Sequence, residues 1–140
     1  MTGHNADRYA RGTARLKQVD GAAGEAVITA LQDIAPDLAR YIIEYPFGDV
    51  YARPGLDLKQ RQIATIAMLG ALGTATPQLK VHIHAARNVG LSKEEIIEVC
   101  IQLSVFAGFP AAINAVLAAK EVFAAEAETT SAEPASQDVP

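Results

Sequence analysis

The chain has no tryptophan, and its 140 residues include only one cysteine, three histidines, four phenylalanines and four tyrosines. A lone Cys100 excludes an internal disulfide and any Cys-x-x-Cys redox pair; set in an apolar helical run, it reads as packing. Cationic residues are also scarce, 12 against 16 acidic ones, for a net charge of −4. Such a balance argues against nucleic acid as a partner, because binding phosphates needs a basic surface. No apolar stretch is long enough to span a bilayer, and Met1 to Asp7 is polar rather than signal-like, so a cytoplasmic location without membrane contact is expected. His4, His82 and His84 lack metal-ligand spacing, since the last two are i, i+2 on a helix rather than i, i+4, and no metal is expected. The glycines are dispersed, which leaves no phosphate loop, and no serine sits at a strand-to-helix elbow.

What is present is helical periodicity. Apolar residues recur at helix spacing, few segments alternate with period two, and punctuation falls between the runs. The reading is all-α: six to seven helices in one domain over residues 1–126, then a disordered tail over 127–140 rich in Ala, Glu, Ser, Thr and Pro. A first helix starts near Asn5 or Asp7 and ends near Gly21; a second covers Glu25 to Asp33. Pro36 opens a third, with Leu38, Tyr41, Ile42 and Tyr45 on its apolar face, and Pro46-Phe-Gly48 stops it. Asp57 caps a fourth helix that is apolar nearly all round from Ile63 to Leu72, as expected of a central helix or one covered by another subunit. Thr76-Pro77 starts the fifth. Ser92 and Glu95 form a capping box for the sixth, which turns Ile96, Val99, Cys100, Leu103 and Phe106 inward. Pro110 opens the last helix, through Ala112, Ala115, Val116, Ala119 and Phe123.

The fifth helix carries the most informative residues. Leu79, His82, Ala86 and Val89 are spaced i, i+3, i+7 and i+10 and are read as one buried stripe, with Lys80, His84, Arg87 and Asn88 opposite. His82 and His84 lie about 200° apart around the helix and cannot enter the same pocket. A histidine in an apolar stripe needs a partner, a ligand or a proton to move; the plainer alternative is a core histidine bonded to a carbonyl. Of the arginines near chain breaks, Arg53, Arg61 and Arg87, Arg53 stands out in a tight Arg-Pro-Gly connection, where a guanidinium can grip a carboxylate bidentately.

Five segments in order then resemble the carboxymuconolactone decarboxylase family, in its 4-carboxymuconolactone decarboxylase branch, over Arg8 to Phe123. Arg8-Tyr9-Ala-Arg-Gly12 resembles the family's Arg-Tyr-x-x-Gly. Phe47-Gly-Asp-Val-Tyr51-Ala-Arg53-Pro-Gly-Leu56 is similar to Trp-Gly-Glu-x-Trp-x-Arg-Pro-Gly-Leu. His82-Ile-His84-Ala-Ala-Arg87-Asn-Val-Gly90 resembles His-x-Arg-x-Ala-x-Asn-Asn-Gly, and Glu94-Glu-Ile96 with Ala107-Gly-Phe-Pro110-Ala-Ala112 completes the pattern. The resemblance implies an all-helical subunit assembling as a trimer or a ring-like hexamer. A related branch uses a Cys-x-x-Cys pair before the equivalent histidine; here those places hold Ala75 and Gln78, which excludes thiol chemistry.

The resemblance further implies decarboxylation of 4-carboxymuconolactone, or a closely related carboxylated lactone, to 3-oxoadipate enol-lactone in aromatic catabolism. The lactone accepts the electrons itself, so no cofactor is expected. His82 is the expected proton donor or enolate partner and Arg53 the carboxylate grip, with His84, Arg87, Phe47, Tyr51 and Pro110 around the substrate. Four departures stand out: His84 replaces an arginine, Phe47 and Tyr51 replace tryptophans, Asp49 replaces glutamate, and an asparagine is displaced to Asn114. They leave open a divergent helical oligomer that binds a small molecule or is purely structural, and an enzyme of another reaction type.

Overall fold

The computed structural model describes residues 3–132, and all regular structure among them is helical. The order is α1 (Gly3–Val19), α2 (Gly21–Leu31), α3 (Pro36–Ile42), a π-helical segment (Ile43–Val50), α4 (Leu58–Leu72), α5 (Thr76–Asn88), α6 (Lys93–Ala107) and α7 (Phe109–Ala132). Local chemistry sets several of these ends. Asp57 accepts from the Gln60 amide at 2.8 Å while the Gln60 side chain accepts from the Asp57 amide at 2.9 Å, a closed capping box. Ser92 and Glu95 repeat it at α6, at 3.0 and 2.7 Å. Gly73 closes α4 in the left-handed region at φ +71°, which a side chain would disfavour. Thr76 lies one residue inside α5, with Ala75 in the capping place.

Pro46 does not stop the third helix as expected. The ring removes one amide and crowds the preceding turn, and the chain responds by widening to i→i+5 bonding rather than ending, so that the Tyr51 amide reaches the Pro46 carbonyl at 2.8 Å. This segment lies against α1 at close range. A Cβ on Gly12 would sit 2.1 Å from the Ile43 carbonyl oxygen, and one on Gly48 would sit 2.7 Å from that of Arg8. Arg8 Nε donates to both Asp49 carboxylate oxygens at 3.1 Å, and Arg11 Nε donates to the Gly48 carbonyl at 2.6 Å. The Arg8…Gly12 and Gly48-Asp49 motifs are therefore a structural clasp.

The molecule has two cores that share α5. Leu16, Val19, Ile28, Ala39, Ile43, Phe47 and Ala85 form the first, from α1 to the π segment. The second joins α4 to α7 through Ile66, Leu79, Ile83, Ala86, Ile96, Cys100, Leu103 and the alanines of α7. Gly70 and the small face of α7 let Leu103 and Ala115 approach α4 closely.

Several expected inward faces turn out. In the third helix the buried residues are Ala39, Ile43 and Phe47, while Leu38, Tyr41 and Tyr45 are exposed; the small Ala39 allows the close approach that the tyrosine stripe would block. Phe106, expected in the core, is 97% exposed. The outer faces of α4, α6 and α7 together show Met68, Leu72, Ile101, Val105, Phe109 and Ile113. The last helix continues to Ala132, beyond the start of the expected tail; just before that start, Glu126 pairs with Arg87 of α5, with Oε2 3.2 Å from Nε. Residues 133–140 of that expected tail lie outside the described residues. No described helix is long and apolar enough to cross a membrane.

Candidate active site

The buried residues of α5 are Leu79, Ile83, Ala85 and Ala86, so the expected stripe keeps Leu79 and Ala86 but has Ile83 in place of His82. Ile83 takes the core place assigned to His82, and His82 moves to the border between the cores. There it lines a cavity of about 290 Å³ with Leu16, Ile28, Phe47, Val81 and Asp20. Among the described residues no lysine or arginine lines that cavity.

A directional hydrogen-bond chain holds the ring. The Arg61 backbone carbonyl can only accept, and it receives the Thr65 hydroxyl at 2.8 Å. Thr65 Oγ1 therefore accepts from the Tyr51 hydroxyl at 2.9 Å, and the Tyr51 oxygen accepts from Gln62 Nε2 at 3.4 Å. That orientation leaves Gln62 Oε1 facing His82 Nδ1 at 3.3 Å. An amide oxygen only accepts, so Nδ1 carries the proton and Nε2 keeps a lone pair for the cavity. Gln62 is fully buried (0% exposed), which fixes the relay. Tyr51 also packs on Phe47, ring centroids 5.3 Å apart. Burial pushes the His82 pKa down to about 4, so the ring is neutral at pH 7.

His84 points the other way, into a separate groove of about 630 Å³ with Arg87, Asn88, Glu126, Thr129 and Thr130. The two histidines thus open into different spaces, as their angular separation requires. Arg87 is occupied there: Nη1 donates to the Leu91 carbonyl at 2.7 Å and Nε lies 3.3 and 3.2 Å from the Glu126 oxygens.

Of the expected site residues, the structure brings His82, Phe47 and Tyr51 together, but not the others. Arg53 is exposed in an outward-facing turn and reaches α4 through its backbone, whose carbonyl accepts from Arg61 Nη2 at 2.9 Å. Its guanidinium does not line the His82 cavity, because the Pro54-Gly55 turn directs this stretch to solvent. His84 and Arg87 share the other groove. Pro110 is exposed in the first turn of α7 and lines neither space. Two residues escaped the sequence reading. Gln62 had a signal, being a polar residue at the start of an otherwise apolar run; Asp20 had none beyond an Asp-Gly pair that looks like a turn.

A helical bundle that holds a neutral histidine beside a largely apolar cavity is the class of protein this structure defines. Residues 36–121 match the Carboxymuconolactone decarboxylase family, and the chain belongs to that family. A 4-carboxymuconolactone decarboxylase of Acinetobacter baylyi is 39% identical over 93 residues, 66% of this chain and 69% of that protein. An uncharacterised 15.0 kDa protein of Paracoccus denitrificans is 36% identical over 100 residues, 71% of this chain and 75% of its own. A nitrosuccinic acid decarboxylase of Metarhizium robertsii is 36% identical over 77 residues, 54% of this chain and 52% of its own.

Proposed function

We propose that this protein decarboxylates a small carboxylated lactone, 4-carboxymuconolactone or a close relative, to the enol-lactone without a cofactor, and that His82 is the catalytic group. The family and two relatives named as decarboxylases support a carboxy-lyase. The observation that carries the site is the Thr65–Tyr51–Gln62 chain, which presents His82 Nε2 as a lone pair in an apolar cavity. A bound carboxylate favours the imidazolium, so the anionic substrate itself recruits a proton to Nε2. Loss of CO₂ sends the electron pair of the breaking C–C bond through the ring double bond to the lactone carbonyl. The imidazolium faces the developing oxyanion and returns its proton to ring carbon, so that one C–H replaces one C–CO₂⁻. The test is loss of lactone absorbance with 4-carboxymuconolactone generated in place from its muconate precursor; no turnover by correctly folded protein would refute the assignment.

A second reading is favoured by one observation. The cavity wall has no cation to grip a second carboxylate. A carboxylic acid carrying fewer anionic groups then fits the same histidine. Turnover of such an acid with none of the dicarboxylate lactone would select this reading.

Assembly of several copies, as a trimer or hexamer, belongs to the same proposal. Met68, Leu72, Phe106, Phe109 and Ile113 give one subunit a wide exposed apolar face, of the sort that a second copy covers. A monomeric mass by light scattering at micromolar concentration would overturn it.

A further inference from the structure

Asp20 lies between α1 and α2, at the place where an aspartate ordinarily caps a helix. It does not cap. Its backbone is αR, at φ −94° and ψ −19°, and its side chain makes no bond to the first turn of α2. The side chain turns inward instead. Asp20 is 4% exposed, it lines the His82 cavity, and its Oδ1 is buried without a hydrogen-bond partner. Gly24 makes the room: a Cβ there would stand 2.4 Å from the Asp20 Cβ and 3.2 Å from Oδ2. A buried carboxyl with an open acceptor and nothing to bond is costly unless it is neutral or a ligand satisfies it.

The chain spends this strain on a wall that already holds His82. The other residues of this wall are apolar or glycine on α1, α2, α3 and the π segment, and Pro77, Gln78 and Val81 on α5. The titratable groups are His82 on α5 and, close enough to feel the carboxylate's charge, Tyr51. No cation offsets an aspartate charge among these residues. Burial accordingly raises the Asp20 pKa to about 7, which makes the carboxyl a proton donor over much of the range in which enzymes work.

We propose that Asp20 is a substrate-contacting residue of the His82 cavity, its protonated carboxyl donating a hydrogen bond to a carbonyl oxygen of the bound acid. The inference rests on the reading of this cavity as the site for a small unsaturated lactone acid. With His82 it gives the largely apolar cavity, in which Gln78 at the rim is the other polar side chain, a basic nitrogen held by Gln62 and a neutral acid facing a ligand oxygen. A ligand with a carbonyl and a carboxylate fits this pair while Asp20 is protonated; an ionised Asp20 would repel the carboxylate.

The test measures binding rather than turnover, so that it stands apart from the decarboxylase assignment. The probe is (5-oxo-2,5-dihydrofuran-2-yl)acetate, titrated calorimetrically into the assembled full chain at about pH 6 and about pH 8, either side of the Asp20 value of about 7. Asp20→Ala loses the donor and should bind about tenfold more weakly at the lower pH, the scale of one hydrogen bond. Asp20→Asn keeps a donor without a titrating proton; it should bind within about threefold of wild type and lose the weakening that wild type shows at the higher pH. Neither variant removes a partner from another side chain, so both should fold. Wild-type affinity in Asp20→Ala, a wild-type pH response in Asp20→Asn, or no binding of the probe by wild type at millimolar concentration would each overturn the proposal. Asp20-dependent binding without decarboxylation of 4-carboxymuconolactone would uphold it and refute the activity assigned above.

Discussion

Helix α5 separates two spaces that differ in almost every physical respect. On the His82 side the wall is apolar, the histidine is neutral, a carboxyl is unpartnered, and no lysine or arginine takes part. On the His84 side Arg87 is held by Glu126 and the Leu91 carbonyl, and threonines of α7 share the lining with Ala23, Val122 and Ala125. Two residues of sequence separate the histidines, yet one faces a desolvated cavity and the other a solvated, charge-paired surface. Hydrogen bonds act in a lower dielectric in the first, whereas charges in the second are screened by solvent.

The largest expected difference between the two sides is in turnover. His82→Ala should lower kcat by at least ~10²-fold, the lower end for general acid–base catalysis, whereas His84→Ala should change it by less than about threefold. The comparison must be made at equal oligomer size, because loss of a half-buried ring can cost on the order of 1–3 kcal/mol in stability. Equal effects of the two substitutions would erase the distinction.

Stability against pH sharpens it further. Asp20 has a folded pKa of about 7 against 3.8 in an unfolded chain, so from about pH 4 to 7 the folded state binds more protons and stability falls as pH rises. His82 has a folded value of about 4 against 6.5, so in most of that window the unfolded state binds more protons and stability rises with pH. The two slopes oppose one another in wild type. Asp20→Asn should unmask the histidine, with stability dropping by roughly 2 kcal/mol on acidification from about pH 6.5 to 4, and should stabilise the protein above pH 7. His82→Gln should unmask the aspartate and reverse the slope. Chemical denaturation across this range reads both; an unchanged profile in either variant would mean that its group is solvated in solution.

Effects on the other side should be smaller. Glu126→Gln loosens a partly exposed ion pair and should cost about 0.5–1 kcal/mol by denaturant midpoint, with kcat unchanged. Arg53→Ala should alter KM by less than about threefold, since the His82 cavity of one chain does not include Arg53. A rise well beyond that would place Arg53 of a second copy at the cavity mouth. His84→Arg, which restores the residue that the family resemblance expects, should leave affinity for a dicarboxylate lactone within about twofold, as its groove is not the His82 cavity.

Much of the helical layout follows from local chemistry that is legible residue by residue. Asp57 with Gln60 and Ser92 with Glu95 form their boxes through contacts three residues apart, and Gly73 ends α4 by its own backbone freedom. The opposite orientation of His82 and His84 likewise needs only the helical repeat. The same periodicity could not say which of two neighbouring stripes faces the core. Both Leu38-Tyr41-Tyr45 and Ala39-Ile43-Phe47 are apolar and helically spaced, and the choice was made by the close crossing of α1 over the π segment at Gly12. Ile83 displaced His82 from the centre of its stripe in the same way, because two cores compete for α5.

The sequence by itself determined an all-helical chain, its principal caps and the family, and it singled out His82, since each rests on spacing along the chain or on short motifs. Tertiary structure alone decided that Gln62, Tyr51 and Thr65 orient that histidine, that Arg53, Arg87 and Pro110 stand away from it, and that Asp20 stands beside it. The physical reason is that burial and partnership are properties of three-dimensional neighbours. Asp20 is separated from His82 in sequence by three helices and a π-helical segment, and only the packing of α1 and α2 against α5 removes it from water and raises its pKa.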